Sequence, residues 1–215
     1  MHTNQRQGRP AHARLAGAAL LALLGTACSG LGDGGGPTVA SARLVEQIDR
    51  VSVETERSEE TVDDALERLQ PIIVRRPRGG AAAARAELGV AFEACQVQAR
   101  RLEGELPALE HEGRSYFGAR RDRVAAIEDP VLRVAAAAEL ERDLERFLEY
   151  QASASAALVT YEELNEELDS ILQVLAGEPC VDALTEAALD LRNQAWSLRM
   201  VLEDCERAAV AFESR

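Results

Sequence analysis

Residues 81–128 read AAAARAELGVAFEACQVQARRLEGELPALEHEGRSYFGARRDRVAAIE, and within them Leu88, Phe92, Cys95, Ala99, Leu102, Leu106, Leu109, Gly113 and Tyr116 recur at alternating steps of four and three. A mean step near 3.5 places these side chains along one seam of a helix, the pattern of coiled-coil packing. At 1.5 Å per residue the stretch predicts a helix of roughly 70 Å, bent at Pro107. One helix with an apolar seam of this length needs partners of similar length, so the rest of the chain is read for them.

Upstream, Arg75-Arg76-Pro77-Arg78-Gly79-Gly80 is the clearest turn in the chain. Its three arginines, Arg75, Arg76 and Arg78, form a candidate interaction tip for a phosphate, a sugar acid or an acidic partner, against the plainer reading of a solvated loop. Before the turn, Leu44, Ile48, Val51, Thr55, Ser58, Val62, Ala65, Leu69 and Ile72 keep the same cadence, with Thr38 as N-cap. Val53–Thr61, VETERSEET, is polar enough to predict a solvated, loosely packed segment, and Pro71 predicts a kink or an end near Leu69.

Downstream, Asp129-Pro130 reads as a stop and restart, with Asp129 capping and Pro130 in the first helical position. A third helix carries Leu140, Leu144, Phe147, Gln151, Ala154, Leu158, Tyr161, Asn165, Leu168, Leu172 and Leu175, and Gly177 and Pro179 end it. A fourth, over about 181–212, repeats the seam at Leu184, Ala188, Leu191, Ala195, Leu198, Leu202, Cys205, Ala209 and Phe212. Four long helices with short joints predict an all-α, elongated antiparallel bundle over residues 39–215.

The first 38 residues have a different character. Arg6, Arg9 and Arg14 precede an apolar run, Leu15–Gly25, that is short for a membrane span and leads into small residues before Cys28. This is the form of a secretory signal over residues 1–27. Leu24-Gly25-Thr26-Ala27-Cys28 resembles the lipobox of bacterial lipoproteins, although Gly25 stands where Leu, Val or Ile is usual. The resemblance implies cleavage before Cys28 and acylation of that cysteine with palmitate-class chains, which gives a membrane anchor. Two or three chains, at about 0.8 kcal/mol per buried CH₂, hold where one is marginal. Ser29 is not the Asp of an inner-membrane retention signal, so in a two-membrane cell the expected site is the outer membrane, facing the periplasm. Residues 28–38, CSGLGDGGGPT, form the anchor and a Gly-rich tether; they lack the Lys-Ser/Thr and the preceding strand of a phosphate loop.

Losing residues 1–27, with three arginines and no acids, takes the net charge from −13 to −16. Such a chain repels phosphate backbones, and its expected address lies away from nucleic acid. All 24 basic residues are arginine, which excludes Schiff-base and P-loop lysine chemistry.

Several landmarks over Val62–Leu175 resemble an uncharacterised family of bacterial helical lipoproteins, a domain of unknown function with predicted coiled coils. They are Asp64-Ala65-Leu66-Glu67 leading to Gly79-Gly80, Ala99-Arg100 in the long acidic helix, and Tyr116-Phe117. Ile127-Glu128, Val131-Leu132-Arg133 and Leu168-Asp169-Ser170-Ile171-Leu172 complete the set. Pro71, Pro107 and Pro130 depart from the family's pattern. The resemblance implies a fold and an address; it lends no activity.

Catalytic chemistry is sparse. With the signal removed one histidine remains, His111, too few for the paired Glu-x-x-His of a di-iron bundle and beside no nucleophile. No catalytic, cofactor or metal residue is assigned. Counting along antiparallel helices puts Cys95 roughly 20 Å and Cys205 roughly 35 Å below Cys180, beyond the ~7 Å that a disulfide tolerates. Cys95 and Cys205 are therefore expected as reduced core residues, and Cys180 as the one able to link two copies. Gln151 and Asn165 on the third seam, with Asn193 on the fourth helix, are expected to form a register-setting polar layer. The rival is a polar ligand site using Gln151, Asn165 and Trp196. The sequence thus predicts a non-enzymatic envelope spacer or adaptor that binds an envelope partner or itself. The alternative is a periplasmic small-molecule-binding bundle.

Overall fold

Asp129 starts the longest helix in the way its sequence dictates: its carboxylate accepts hydrogen bonds from the Val131 and Leu132 amides at 2.8 and 3.2 Å, and Pro130 follows in the first turn. The computed structural model describes residues 39–75, 80–177 and 181–213. Within them lie α1 (Val39–Arg75), α2 (Ala81–Ala125), α3 (Pro130–Ala176) and α4 (Val181–Glu213). Gly80 precedes α2 with φ at +82°, a backbone that residues with a Cβ rarely adopt. Gly177 closes α3, its amide donating to the Val174 carbonyl at 3.3 Å.

The helices pack in an up-down bundle. α1 lies against α2, α2 against α3 and α3 against α4, while α4 closes more loosely onto α1 and α1 and α3 face each other across the diagonal. All nine α1 seam residues are buried, as are Leu88, Cys95, Leu102 and Leu109 of α2 and Ala188, Leu191, Ala195, Leu198, Leu202, Cys205 and Ala209 of α4. The exposed side of the α1–α4 seam is bridged by Arg199, which pairs with Asp63 and lies 3.8 Å from Glu59.

Three expectations are corrected. α1 runs through Pro71 to Arg75. The missing amide falls in the last turns, where burial of Leu69 and Ile72 on either side holds the helix. α2, expected as one long helix, is continuous through Pro107, which is exposed. VETERSEET is not a solvated gap. Thr55 and Ser58 are buried, satisfied by the Ser52 and Glu54 carbonyls, and their small size makes room for side chains from across the bundle.

The third correction concerns α3. Leu144, Gln151, Leu158, Asn165 and Leu172 are half-buried, whereas Tyr150, Ala157, Leu164 and Ile171 are fully buried beside Phe147, Ala154, Tyr161, Leu168 and Leu175. α3 packs between α2 and α4 and faces α1, so its apolar stripe is wider than a two-helix seam. Its centre lies one residue earlier than the four-three count places it.

The helices also differ in reach. Gln47 of α1 bonds Glu105 of α2, and Gln98 of α2 bonds Glu54 of α1, which fixes the antiparallel register. In that register the start of α1 lies near residue 113 of α2. The last dozen residues of α2 and the opening turns of α3 therefore extend beyond it by roughly 18 Å. α4 stops before this level, because its Arg199 already meets Asp63. Among the described residues, one end of the bundle is a two-helix hairpin projecting beyond α1 and α4.

Candidate functional site

Two buried glutamines join α1 to α2 in a reciprocal arrangement. Gln47 Nε2 donates to the Glu105 carbonyl at 3.1 Å and to its carboxylate at 2.7 Å. Gln98 Nε2 donates to the Glu54 carbonyl and carboxylate, each at 2.8 Å. In each helix the glutamine and the glutamate are one heptad apart, so the second clamp repeats the first with the helices exchanged. A hydrogen bond to a charged acceptor is among the stronger kinds, and a slip by one turn would break both clamps.

Two tyrosines tie α3 to the diagonal helix. Tyr150, fully buried, donates its hydroxyl to the Ile48 carbonyl at 3.2 Å and lies 3.4 Å from Ser52 Oγ. Tyr161, also fully buried, hydrogen-bonds Thr61, and Cys95 Sγ lies 3.6 Å from the Thr61 carbonyl. Burial pushes the Tyr161 phenol and the Cys95 thiol upward, and it takes Cys205 to about 12. At neutral pH all three stay protonated, as packing and hydrogen-bonding groups rather than nucleophiles.

The projecting hairpin has its own small core. Phe117 and Phe147 pack at 5.4 Å between ring centroids, Tyr116 meets Phe117 edge-on, and Gly113 lets the Phe147 ring lie directly on the α2 backbone. Arg120 donates to Asp143 at 2.5 Å and to the Tyr116 hydroxyl at 3.2 Å, pinning α2 to α3. Beyond this, Val131 is 75 % and Val134 69 % exposed.

The residues singled out in the sequence do not converge. Cys28, Arg76, Arg78 and Cys180 lie outside the described residues, and Arg75 is placed only as the last residue of α1. Gln151 and Asn165 flank the α3 core, and Asn193 is exposed on α4, so the three do not form a layer. The Asn165 Oδ1 is buried without a hydrogen bond. Trp196 is 65 % exposed, and neither it nor Asn165 lines the two grooves on the α2–α3 surface. His111 is exposed, and Cys95 and Cys205 are buried and unpaired. An open groove on the α2–α3 surface is lined by Arg85, Phe92, Glu93, Gln96, Asp169 and Gln173.

The polar contacts that do form were missed in the sequence. Their signal was the heptad pair Gln47/Glu54, repeated in the same order by Gln98/Glu105, so that on antiparallel helices each glutamine meets the other pair's glutamate. Among the described residues no group of three His, Cys, Asp or Glu is arranged to hold a metal, and no helix is long and apolar enough to cross a membrane. No family model, no curated protein and no solved structure matches this chain.

Proposed function

We propose that this chain is a lipid-anchored protein of the cell envelope, acting as a non-enzymatic spacer or protein-interaction adaptor. The observation that carries the reading is Leu15–Cys28, a basic leader, an apolar run and a lipobox-like end in immediate succession, followed by the Gly-rich stretch. The character of the bundle supports it: the buried polar side chains Gln47, Gln98, Tyr150 and Tyr161 are engaged in joining helices. The family resemblance over Val62–Leu175 belongs to the same proposal. In a cell with two membranes the outer membrane is the expected site, with an envelope protein or a second copy as partner.

Intact mass of protein extracted from membranes of a native-like host, compared with Cys28→Ala, tests the anchor. The wild type is expected to start at Cys28 with added acyl mass, and the variant to lack it. Full-length, unacylated wild type would remove the reading. Co-purification in mild detergent at native expression is expected to recover an envelope protein or a second copy; a monomer alone would remove the adaptor role.

A further inference from the structure

The overhang and the charge pattern bear on one question, which end of the bundle faces the membrane. α1 begins at the same end as the projecting hairpin, eleven residues after Cys28 in the chain. Eleven residues reach at most about 40 Å. An anchor at Cys28 would therefore turn the hairpin end toward the bilayer.

Charge points the same way. Residues 114–134 hold five arginines and three acids; Arg114 and Arg120 pair with Glu110 and Asp143 and Asp129 caps α3, so the other charges there are Arg121, Arg123 and Arg133 against Asp122 and Glu128. Setting residues 114–134 aside with the three arginines of residues 1–27 leaves 16 arginines against 34 acids elsewhere. An anionic surface repels the acidic body more than this end. Val131 and Val134 share a helix face there, Leu132 adjoins them, and all three are exposed, as are Arg133 among them and Arg121 and Arg123 in the last turns of α2. Apolar side chains flanked by arginines suit the boundary between head groups and acyl chains.

We propose that the α2–α3 hairpin end is a membrane-contact surface, seating Val131, Leu132 and Val134 in an anionic lipid surface. The proposal rests on the lipid-anchored reading. It makes the bundle stand upright, with the α1–α2 and α3–α4 joints directed away from the bilayer.

The test uses the processed full chain, purified from membranes with Cys180→Ser and carrying a single new cysteine, Val134→Cys or Val90→Cys, labelled with an environment-sensitive fluorophore. It is reconstituted into phosphatidylethanolamine–phosphatidylglycerol vesicles containing a bromolipid quencher. Val90 is exposed on α2, far from the hairpin end. Quenching at position 134 is expected to exceed that at position 90 several-fold, and to fall when phosphatidylcholine replaces phosphatidylglycerol or salt is raised. Equal, weak quenching at both positions in a preparation whose mass shows acylation would overturn the contact and leave the anchor intact. Shielding of position 134 from aqueous iodide without bromolipid quenching would mean that a protein covers the tip, which also overturns it. An unacylated mass would remove the anchor, and this proposal with it.

Discussion

Gly113 shows how little room the hairpin core leaves. A Cβ added there would land on the Phe147 ring, itself held by Phe117. Overpacking of this kind costs about 1–3 kcal/mol, against about 1 kcal/mol gained when alanine replaces glycine within a helix. Gly113→Ala is expected to lower the unfolding free energy, read from urea denaturation, by a net of up to about 2 kcal/mol, with Phe147→Leu restoring most of the loss in the double variant. An unchanged midpoint for the single variant would show that the ring simply moves aside. Cys205 carries a different prediction. Its thiol rises from an ordinary 9.0 to about 12 in the folded chain because it is buried. Above pH 9 the unfolded chain loses this proton while the folded chain keeps it, so stability falls as pH climbs toward 12. Tyr161, likewise raised by burial, extends that fall above 10.0. Denaturation midpoints from pH 8 to 11 are expected to decline, and Cys205→Ala to flatten the slope; a parallel slope in the variant would assign the decline to other groups.

At the scale of elements, the two Gln–Glu clamps set how α1 lies on α2. Gln47→Ala removes one clamp and leaves Glu105 with a lost partner, at a cost of about 1–3 kcal/mol, and Gln98→Ala does the same at Glu54. The glutamines lie on different helices at levels about a heptad, or ~10 Å, apart, so the two losses should add to within about 0.5 kcal/mol. A double variant much less stable than the sum would mean that one clamp holds the register which the other needs. These clamps also mark what the sequence hides. The existence of four helices, the Asp129-Pro130 joint and the seams of α1 and α4 were legible, because caps and apolar periodicity are local signals. The polar core was not. Ser52 and Thr61 read as part of a solvated face because their partners, Tyr150 and Tyr161, lie about a hundred residues away on a helix of unknown register, and the bonds of Thr55 and Ser58 back to the Ser52 and Glu54 carbonyls leave no mark in the apolar pattern. The same blindness displaced the α3 stripe by one residue and suggested a layer from Gln151, Asn165 and Asn193, which only a register with Asn193 turned inward would have formed.

At the scale of the whole molecule, the bundle should not be equally stable along its length. In its middle, four helices enclose Leu44–Leu69, Leu88–Leu109, Tyr150–Leu175 and Ala188–Cys205, and most core residues there are nearly inaccessible. Among the described residues, α4 stops first toward the hairpin end and α1 next, leaving α2 and α3 to protect each other. There Phe117, Leu140 and Phe147 are the buried apolar residues and the Arg120–Asp143 pair is the tie. A pair of helices alone buries too little apolar surface to match the middle, and the partly covered ion pair adds modestly. Amide exchange is therefore expected to be slowest at residues 48–69, 91–109, 150–171 and 191–205, and faster by at least ~100-fold at 118–136, a gap of about 2.7 kcal/mol in local opening. Asp143→Asn should widen the gap by accelerating the hairpin without altering the middle. Uniform protection from end to end would instead require the hairpin to open only when the whole bundle does. The gradient also has a mechanical meaning: a rigid four-helix shaft with a softer two-helix end can hold a fixed distance along its length while its projecting end adapts to what it touches.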